Sequence, residues 1–173
     1  MPGQDLVLVI NSGSSSVKCK VFAMPGEQVQ FSGQVDGIGI GGNGAQALLT
    51  AGQSRGLQLE RSVDCGDHGR AIELILDLLA SDEYGLGNDF SRICVAGHRV
   101  VHGGNRFCAP VMVNEPLIDE LAGLSELAPL YIPINVLCIR ACREKLPKTP
   151  MAACFDTAFS HDMPEYARLY PVP

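Results

Sequence analysis

The sequence predicts a mixed α/β fold in one compact domain. Strand-like segments come first, helical segments with long apolar faces follow, and further buried strands separate those helices. The 173 residues, 46% of them hydrophobic and 18% charged, suffice for a sizeable core without a metal ion or a disulfide. We expect the order β-β-β-(β)-α-β-α-α-β, in which three antiparallel strands precede crossover helices.

The first half of the chain predicts strands. Residues 6–10 form a continuous apolar run, which favours a strand covered on both faces. Residues 17–22 and 29–35 alternate apolar with polar side chains, as antiparallel strands with one exposed face do. A weaker strand is expected at 57–63, and the glycine-rich stretch 37–44 predicts a flexible connection before it.

Residues 37–42 also match the G-x-G-x-x-G pattern of dinucleotide-binding loops, and Glu60 follows at a distance that suits a ribose-binding acid. The strand before this pattern is half polar, whereas the dinucleotide fingerprint follows a buried parallel strand. An oxidoreductase is therefore a weak alternative.

The second half of the chain predicts helices and buried strands. One helix is expected to begin near Asp67 as its N-cap, a second at Asn114, and a third near Pro133. Short buried strands are expected at 92–96 and 151–155. The residues expected to form the apolar helix faces are Ala71, Ile72, Ile75, Leu76, Leu79, Leu117, Ile118, Leu121, Leu124, Ile134, Leu137, Cys138, Ala141 and Cys142.

Charge and cysteine content exclude several classes of protein. A net charge of −6 without a cluster of Lys or Arg argues against a nucleic-acid partner. The N-terminus has no basic segment before an apolar run, so we expect neither export nor a membrane partner. The seven cysteines form no Cys-x-x-Cys pair and are expected to be reduced, buried side chains of a cytoplasmic protein.

Three polar residues follow predicted strands: Asn11, Arg99 and Asp156. Open α/β sheets bind ligands at the carboxyl ends of their strands, so this edge of the sheet is the expected functional site. Asp156 should have a cation, a metal ion or a hydrogen-bond donor beside it, because an unpaired carboxylate at the end of a buried strand is costly. The alternative for Asp156 is an ordinary turn or N-cap residue.

The segment NSGSSSVK at 11–18 combines a glycine turn, small hydroxyl side chains and Lys18, which suits a phosphate group. An ordinary polar hairpin turn is the alternative. The segment is not a Walker A loop, because Val17 occupies the position of its second glycine.

The segment HRVVHGG at 98–104 places a guanidinium between two imidazoles. Arginine is suited to bidentate contact with a carboxylate or a phosphate, although a salt-bridged Arg99 with packed histidines is the alternative. His98 and His102 are four residues apart, but the neighbouring glycines argue against a helix and so against a zinc pair.

Four motifs occur in order: LVINSGSSSVK at 8–18, GHRVVHGG at 97–104, APL at 128–130 with Pro133, and FDTAF at 155–159 with Met163 and Pro164. Together they make the chain similar to the acetate and propionate kinase family, within the sugar kinase and actin superfamily. The resemblance implies a ribonuclease H-like (actin-like ATPase) domain, with a mixed sheet of three antiparallel strands followed by parallel strands and crossover helices.

The resemblance also implies phosphoryl transfer from ATP to acetate, which gives acetyl phosphate and ADP with Mg²⁺ as cofactor. A propionate or other short-chain acyl kinase, or a non-catalytic truncated homologue, are the alternatives. Residues 1–173 would form the N-terminal domain, and the C-terminal nucleotide-binding domain would lie outside this chain. The chain would then hold one half of the active site and have little activity alone, while the full-length protein would be a homodimer.

Carried over from the family, Asn11 would help to hold Mg²⁺, and Ser14, Ser16 and Lys18 would face the nucleotide phosphates.

The resemblance implies that Arg99 binds the acyl carboxylate or the transferring phosphoryl group and that Asp156 is the catalytic aspartate. Val101 and Leu130 would line the apolar pocket for the acyl methyl group. A carboxylic acid with a pKa of ~4 is already ionised at neutral pH, so no general base is needed. Asp156 is therefore expected to orient Arg99 or a metal-bound water.

The sequence departs from the family pattern at two places. The family has His-Asn where this chain has Tyr131 and Ile132, and His-Gln-Thr where this chain has residues 160–162, Ser-His-Asp. Both changes remove imidazole and amide groups from the expected substrate side, so they bear on substrate choice and efficiency.

Overall fold

The computed structural model of the protein describes residues 5–40, 46–53, 56, 58–87 and 89–168. Eight strands form one mixed sheet in the order β5-β4-β3-β2-β1-β6-β8-β7. The central strands β1, β6 and β8 are parallel, and the other neighbouring pairs are antiparallel. The expected mixed α/β fold is confirmed. Among the described residues, no helix has the length and apolar character needed to cross a membrane.

Five consecutive strands build one side of the sheet. They are β1 (Leu6–Ser12), β2 (Ser16–Ala23), β3 (Gln28–Asp36), β4 (Ala47–Gln53) and β5 (Gln58–Val63). No strand was predicted at β4, which follows the glycine-rich stretch 37–44 and alternates buried with more exposed residues. The G-x-G-x-x-G stretch thus leads into an antiparallel strand instead of a helix, which removes the context that a dinucleotide fingerprint requires. Residues 41–44 of the expected flexible connection lie outside the described residues.

Helix α1 (His68–Leu79) follows β5 and begins as expected, because the Asp67 carboxylate accepts a hydrogen bond from the Arg70 amide at 2.8 Å. It packs against β2, β3 and β4. Strand β6 (Ile93–Val100) then runs parallel to β1 and extends four residues beyond the predicted strand.

The last part of the chain comprises β7 (Val111–Met112), α2 (Glu115–Gly123), α3 (Ile132–Lys145), β8 (Met151–Phe155), a 3₁₀ turn (Asp156–Ser160) and α4 (Glu165–Arg168). Asn114 caps α2 as expected, through a 2.8 Å bond from the Leu117 amide. The predicted face of α3 is partly wrong, because Leu137 is 40% exposed and Asn135 lies in the buried face instead.

Helices α1 and α3 pack against the same face of the sheet, which we call the helix face. The opposite face, the open face, carries exposed and half-buried side chains such as Val9, Lys18 and Lys20. The expectation that β1 is covered on both faces is therefore wrong: Leu6, Leu8 and Ile10 are buried, whereas Val9 is 40% exposed. The polar alternation of β2 and β3 reflects this one-sided covering.

All seven cysteines are free thiols, in agreement with the expected reduced state. Their expected burial is confirmed for four, Cys19, Cys65, Cys138 and Cys142, and is wrong for Cys94, Cys108 and Cys154. Cys94 and Cys154 are exposed because alternate residues of β6 and β8 face away from the helices.

Candidate active site

Three neighbouring parallel strands bring Asn11, Arg99 and Asp156 together at their carboxyl ends. The Arg99 Nε donates to both oxygens of Asp156, at 2.9 Å and 3.1 Å, and Nη2 donates to Oδ2 at 2.5 Å. On its other side, Arg99 Nη1 donates to Asn11 Oδ1 at 2.9 Å. The guanidinium is therefore held between an amide and a carboxylate.

Backbone pairing fixes the positions of these three residues. Asn11 pairs with Arg99 in the parallel ladder between β1 and β6, and Asp156 directly follows β8, whose Cys154 pairs with Arg99. Side chains of paired residues point to the same face, so Asn11 and Arg99 both emerge on the open face. The predicted strands end too early here, because Asn11 and Arg99 lie inside β1 and β6 and do not follow them.

The guanidinium of Arg99 keeps donors for a ligand. Arginine has five N–H donors in a planar fork. Among the described residues, Asp156 accepts from the N–H of Nε and from one N–H of Nη2, and Asn11 accepts from one N–H of Nη1. One N–H on each terminal nitrogen remains, which suits the two oxygens of a carboxylate or a phosphoryl group.

The Arg99 and Asp156 side chains are each 42% exposed, so a ligand can reach them from solvent. The hydrogen bond with Asp156 raises the pKa of Arg99, which keeps the guanidinium charged. An exposed ion pair of this kind adds little stability, about 0–1 kcal/mol. Its main physical effect is to orient the guanidinium.

Lys18 lies beside the cluster on the open face. It pairs with Asn11 across the antiparallel ladder between β1 and β2, and Gln34 of β3 pairs with Lys18 in turn. A depression of about 480 Å³ lies further along this face, with Lys18, Lys20 and Glu60 among its lining residues. The lysine thus stands between this depression and Arg99.

The loop that carries Ser14 connects β1 to β2 and is held by contacts with β2 and with the start of α1. The Gly13 amide donates to the Ser16 carbonyl at 2.8 Å, which closes the turn. The His68 imidazole at the start of α1 lies 2.9 Å from the Gly13 carbonyl through Nε2. Ser14 is exposed and Ser16 begins β2, so both lie at the same edge of the sheet as Asn11. Burial lowers the pKa of His68, which favours its neutral form.

The two residues expected to form an apolar pocket lie on different segments. Val101 follows β6 and is half-buried, whereas Leu130 precedes α3 and is 69% exposed. The apolar pocket that these two residues would form stays a prediction. Asp156 is the main cause of the raised pKa of Arg99, and Tyr131, one of the two departures from the family pattern, contributes in the same direction.

The oxygens near Arg99 fit a Mg²⁺ ion that is held mainly through phosphates. Asn11 and Asp156 offer an amide oxygen and a carboxylate, which are the ligand types that Mg²⁺ prefers. Both already accept hydrogen bonds from Arg99, so they can supply one or two ligands instead of a complete cage. The described residues contain no group of three or more His, Cys, Asp or Glu side chains that could hold a metal ion.

His98 and His102 do not form a pair. His98 lies in β6 with 2% of its surface exposed, and its Nε2 has no hydrogen-bond partner in the described part of the chain. The His102 Nδ1 accepts a hydrogen bond from the Gly104 amide at 2.9 Å. The strand conformation at His98 removes the helical alignment that a zinc pair would need.

Two buried polar residues beneath the site, His68 and Asn135, were not predicted from the sequence. Asn135 contacts the backbone of Val101 and the side chain of Ser12, and so bridges the ends of β6 and β1. An asparagine at a core position of an amphipathic helix is the signal that could have identified it, because a buried amide needs partners.

Comparisons with known proteins agree on one family. The model of the Acetokinase family matches residues 6–173. Acetate kinases of Clostridium botulinum strain Langeland and Thermoanaerobacterium thermosaccharolyticum are 42% and 41% identical to the chain over 167 residues, which are 96% of the chain. Those 167 residues cover 41% and 40% of the two relatives, so the chain spans well under half of their length.

Solved structures give the same result. The crystal structure of the Porphyromonas gingivalis acetate kinase has a TM-score of 0.85 at 35% identity, and a propionate kinase from Francisella tularensis has a TM-score of 0.81 at 29% identity. Each comparison covers 98% of this chain and 41% of the other chain. The fold is therefore the actin-like ATPase fold of these kinases, as expected.

Proposed function

The chain belongs to the acetokinase family, and from this membership we propose that it forms one half of the active site of an enzyme that transfers a phosphoryl group between ATP and acetate. The reaction gives acetyl phosphate and ADP. The oxygen of the acetate carboxylate attacks the γ-phosphorus, and the bond from that phosphorus to the bridging oxygen of ADP breaks.

The held guanidinium of Arg99 is the observation that carries this proposal. Its two remaining N–H donors suit two oxygens of the acetate carboxylate or of the transferring phosphoryl group. Positive charge at this point offsets the charge that spreads over the phosphoryl oxygens during transfer. Because Asp156 and Asn11 already fix the orientation of the guanidinium, little reorganisation accompanies the reaction.

Asp156 acts through Arg99 in this proposal. Acetate is ionised at neutral pH, since carboxylic acids have a pKa of ~4, so its attack on phosphorus releases no proton. A general base therefore has nothing to remove. The carboxylate of Asp156 accepts three hydrogen-bond contacts from Arg99 and so keeps the guanidinium in place.

Asn11, Ser14, Ser16 and Lys18 form the phosphate side of the site. Lys18 contributes positive charge next to Asn11 on the open face, and the serine hydroxyls contribute donors at the edge of the sheet. Asn11 would hold Mg²⁺ together with the phosphates. When bound, Mg²⁺ neutralises negative charge on the phosphate oxygens.

Residues 1–173 would be the N-terminal domain, and the remaining nucleotide contacts would come from a second domain of the parent protein. The chain spans 41% of its relative from Clostridium botulinum, and the side chains of Arg99 and Asp156 are each 42% exposed. The parent protein would act as a homodimer.

Propionate is a second candidate substrate. The likeness to the Francisella tularensis propionate kinase favours it. One methylene in an apolar pocket changes the free energy by about 1–3 kcal/mol, so both acids can be used at different rates.

The experiment measures acyl phosphate formation by the full-length protein and by the 173-residue chain. Acetate, propionate and butyrate are each supplied with ATP and Mg²⁺, and the product is trapped with hydroxylamine. We expect turnover of acetate or propionate by the full-length protein and little turnover by the chain. Full turnover by the chain alone would contradict the division of the site, and no acyl phosphate from the full-length protein would favour a non-catalytic homologue.

A further inference from the structure

The side chain of Asn135 lies between the ends of the two strands that carry Asn11 and Arg99. Its Oδ1 accepts a hydrogen bond from the Val101 amide at 3.2 Å. Its Nδ2 donates to the Ser12 hydroxyl at 2.7 Å and lies 3.4 Å from the Ser12 carbonyl oxygen. Asn135 is 2% exposed, so its polar atoms face the protein and not the solvent.

These contacts replace one rung of the parallel ladder. The pairing of β1 with β6 ends at Asn11 and Arg99. In a parallel ladder continued by one rung, the Ser12 carbonyl would accept a hydrogen bond directly from the Val101 amide. Instead, the Asn135 carboxamide accepts from the Val101 amide and lies 3.4 Å from the Ser12 carbonyl oxygen, so it stands between the two strand ends.

We propose that Asn135 is a positioning residue, which sets the spacing between Asn11 and Arg99 at the reaction site. As far as turnover is concerned, this inference rests on the proposed function. Arg99 lies two residues before Val101, and Asn11 lies one residue before Ser12, so a shift of either strand end moves the guanidinium relative to the amide. Asn135 is too deeply buried to contact substrate itself.

Removal of the carboxamide has a predictable chemical effect. The Asn135→Ala change leaves the Val101 amide and the Ser12 hydroxyl without their partner in a buried place, which is costly. The strand ends then either move together or admit water. Both responses change the angle at which Arg99 meets its ligand, and misplacement by about 1 Å can lower a rate on the order of 10²-fold.

The kinetic test uses the full-length enzyme. We expect Asn135→Ala to lower kcat on the order of 10²-fold while KM for the acid changes much less. In an Arg99→Ala background, the same change should lower kcat by less than about threefold, because the group through which it acts is gone. Ile139→Ala is the matched control, since Ile139 is buried on the same helix without touching either strand end through a polar contact.

Two results would overturn the proposal: an equal loss of kcat in Ile139→Ala at equal stability, or an undiminished effect of Asn135→Ala without Arg99. If Asn135→Ala does not fold, Asn135→Asp replaces it. The aspartate has the same shape and can accept from Val101 and from the Ser12 hydroxyl. It cannot donate to the Ser12 carbonyl oxygen, which lies 3.4 Å from Asn135 Nδ2, and it brings a charge into a buried place, so kcat should still fall. Normal kcat in Asn135→Asp would then count against the proposal.

A second measurement does not depend on activity. Amide hydrogen exchange in the 173-residue chain should become at least about tenfold faster at Val101 in Asn135→Ala, which removes the acceptor of that amide. The Ala96 amide, which donates to the Pro150 carbonyl at 2.9 Å in the same strand, should stay protected. Unchanged exchange at Val101 refutes the bridge. Faster exchange at Val101 together with an inactive full-length protein retains the bridge and rejects the kinase.

Discussion

Replacement of His98 by glutamine should remove a large part of the pH dependence of stability. His98 is 2% exposed, and its Nε2 has no partner among the described residues. Burial lowers its pKa from 6.5 to about 4. The native state therefore holds a neutral imidazole at pH values where the unfolded chain already binds a proton.

The size of the effect follows from the two pKa values. Above pH 6.5 the imidazole is neutral in both states, so the native state keeps its full stability. As the pH falls below 6.5, the unfolded state binds a proton that the native state does not, and stability is lost until about pH 4. Each pKa unit corresponds to about 1.4 kcal/mol, so the loss from this residue near pH 5 is about 2 kcal/mol.

The assay is urea unfolding of the 173-residue chain near pH 7 and near pH 5, for the wild type, His98→Gln and His161→Gln. His161 is exposed and serves as the control. His68 also has a lowered pKa and remains in every variant, so the difference between variants isolates His98. We expect His98→Gln to lose about 2 kcal/mol less than the wild type on acidification. Equal losses in the wild type and His98→Gln would refute the reasoning.

Three further predictions concern the site and the core. In the full-length enzyme, Arg99→Ala should lower kcat on the order of 10³-fold or more, as removal of an arginine finger does; a fall of less than about tenfold in acyl phosphate formation would reject its role. Gly33→Ala should destabilise the chain by about 1–3 kcal/mol in urea unfolding, because the new Cβ would lie 2.6 Å from Ile75 Cγ2. Gly97→Ala is the control and should destabilise the chain less, because its Cβ would lie 4.0 Å from the Leu8 carbonyl oxygen. Asp67→Ala should lower the free energy of unfolding by about 1 kcal/mol through loss of the α1 cap, and an unchanged urea midpoint would contradict this.

Local signals explain why much of the fold was predictable. Asp67 and Asn114 are strong N-cap residues, and each begins its helix as expected. The apolar run of β8 is short and bounded, and its strand has the predicted bounds. Strand β4 was missed because its residues, ALLTAGQ, include few β-branched or aromatic side chains. Its pairing with β3 and β5 outweighs this weak propensity.

The site was predictable as a set of strand ends but not in its details. The sequence indicated that Asn11, Arg99 and Asp156 lie at one edge, since parallel strands end together. The sequence could not show that Arg99 forms hydrogen bonds with both Asn11 and Asp156. Those contacts depend on the register of the strands, and the residues concerned are 88 and 57 positions apart in sequence. The role of Asn135 was hidden for the same reason.

One-sided packing of the sheet explains why β1 is not covered on both faces as expected, and it explains why polar side chains can gather on the open face. Because α1 and α3 cover the helix face, the residues that alternate toward the open face can be charged or amidic without a burial penalty. Lys18, Asn11 and Arg99 are successive partners across three strands of that face, so their backbones are separated by the regular spacing of a sheet, about 4.8 Å per strand. Their polar groups are thus arranged by the backbone hydrogen bonds of neighbouring strands. A site that must neutralise phosphate charge without reorganising benefits from this arrangement, since the donors are in place before the ligand arrives.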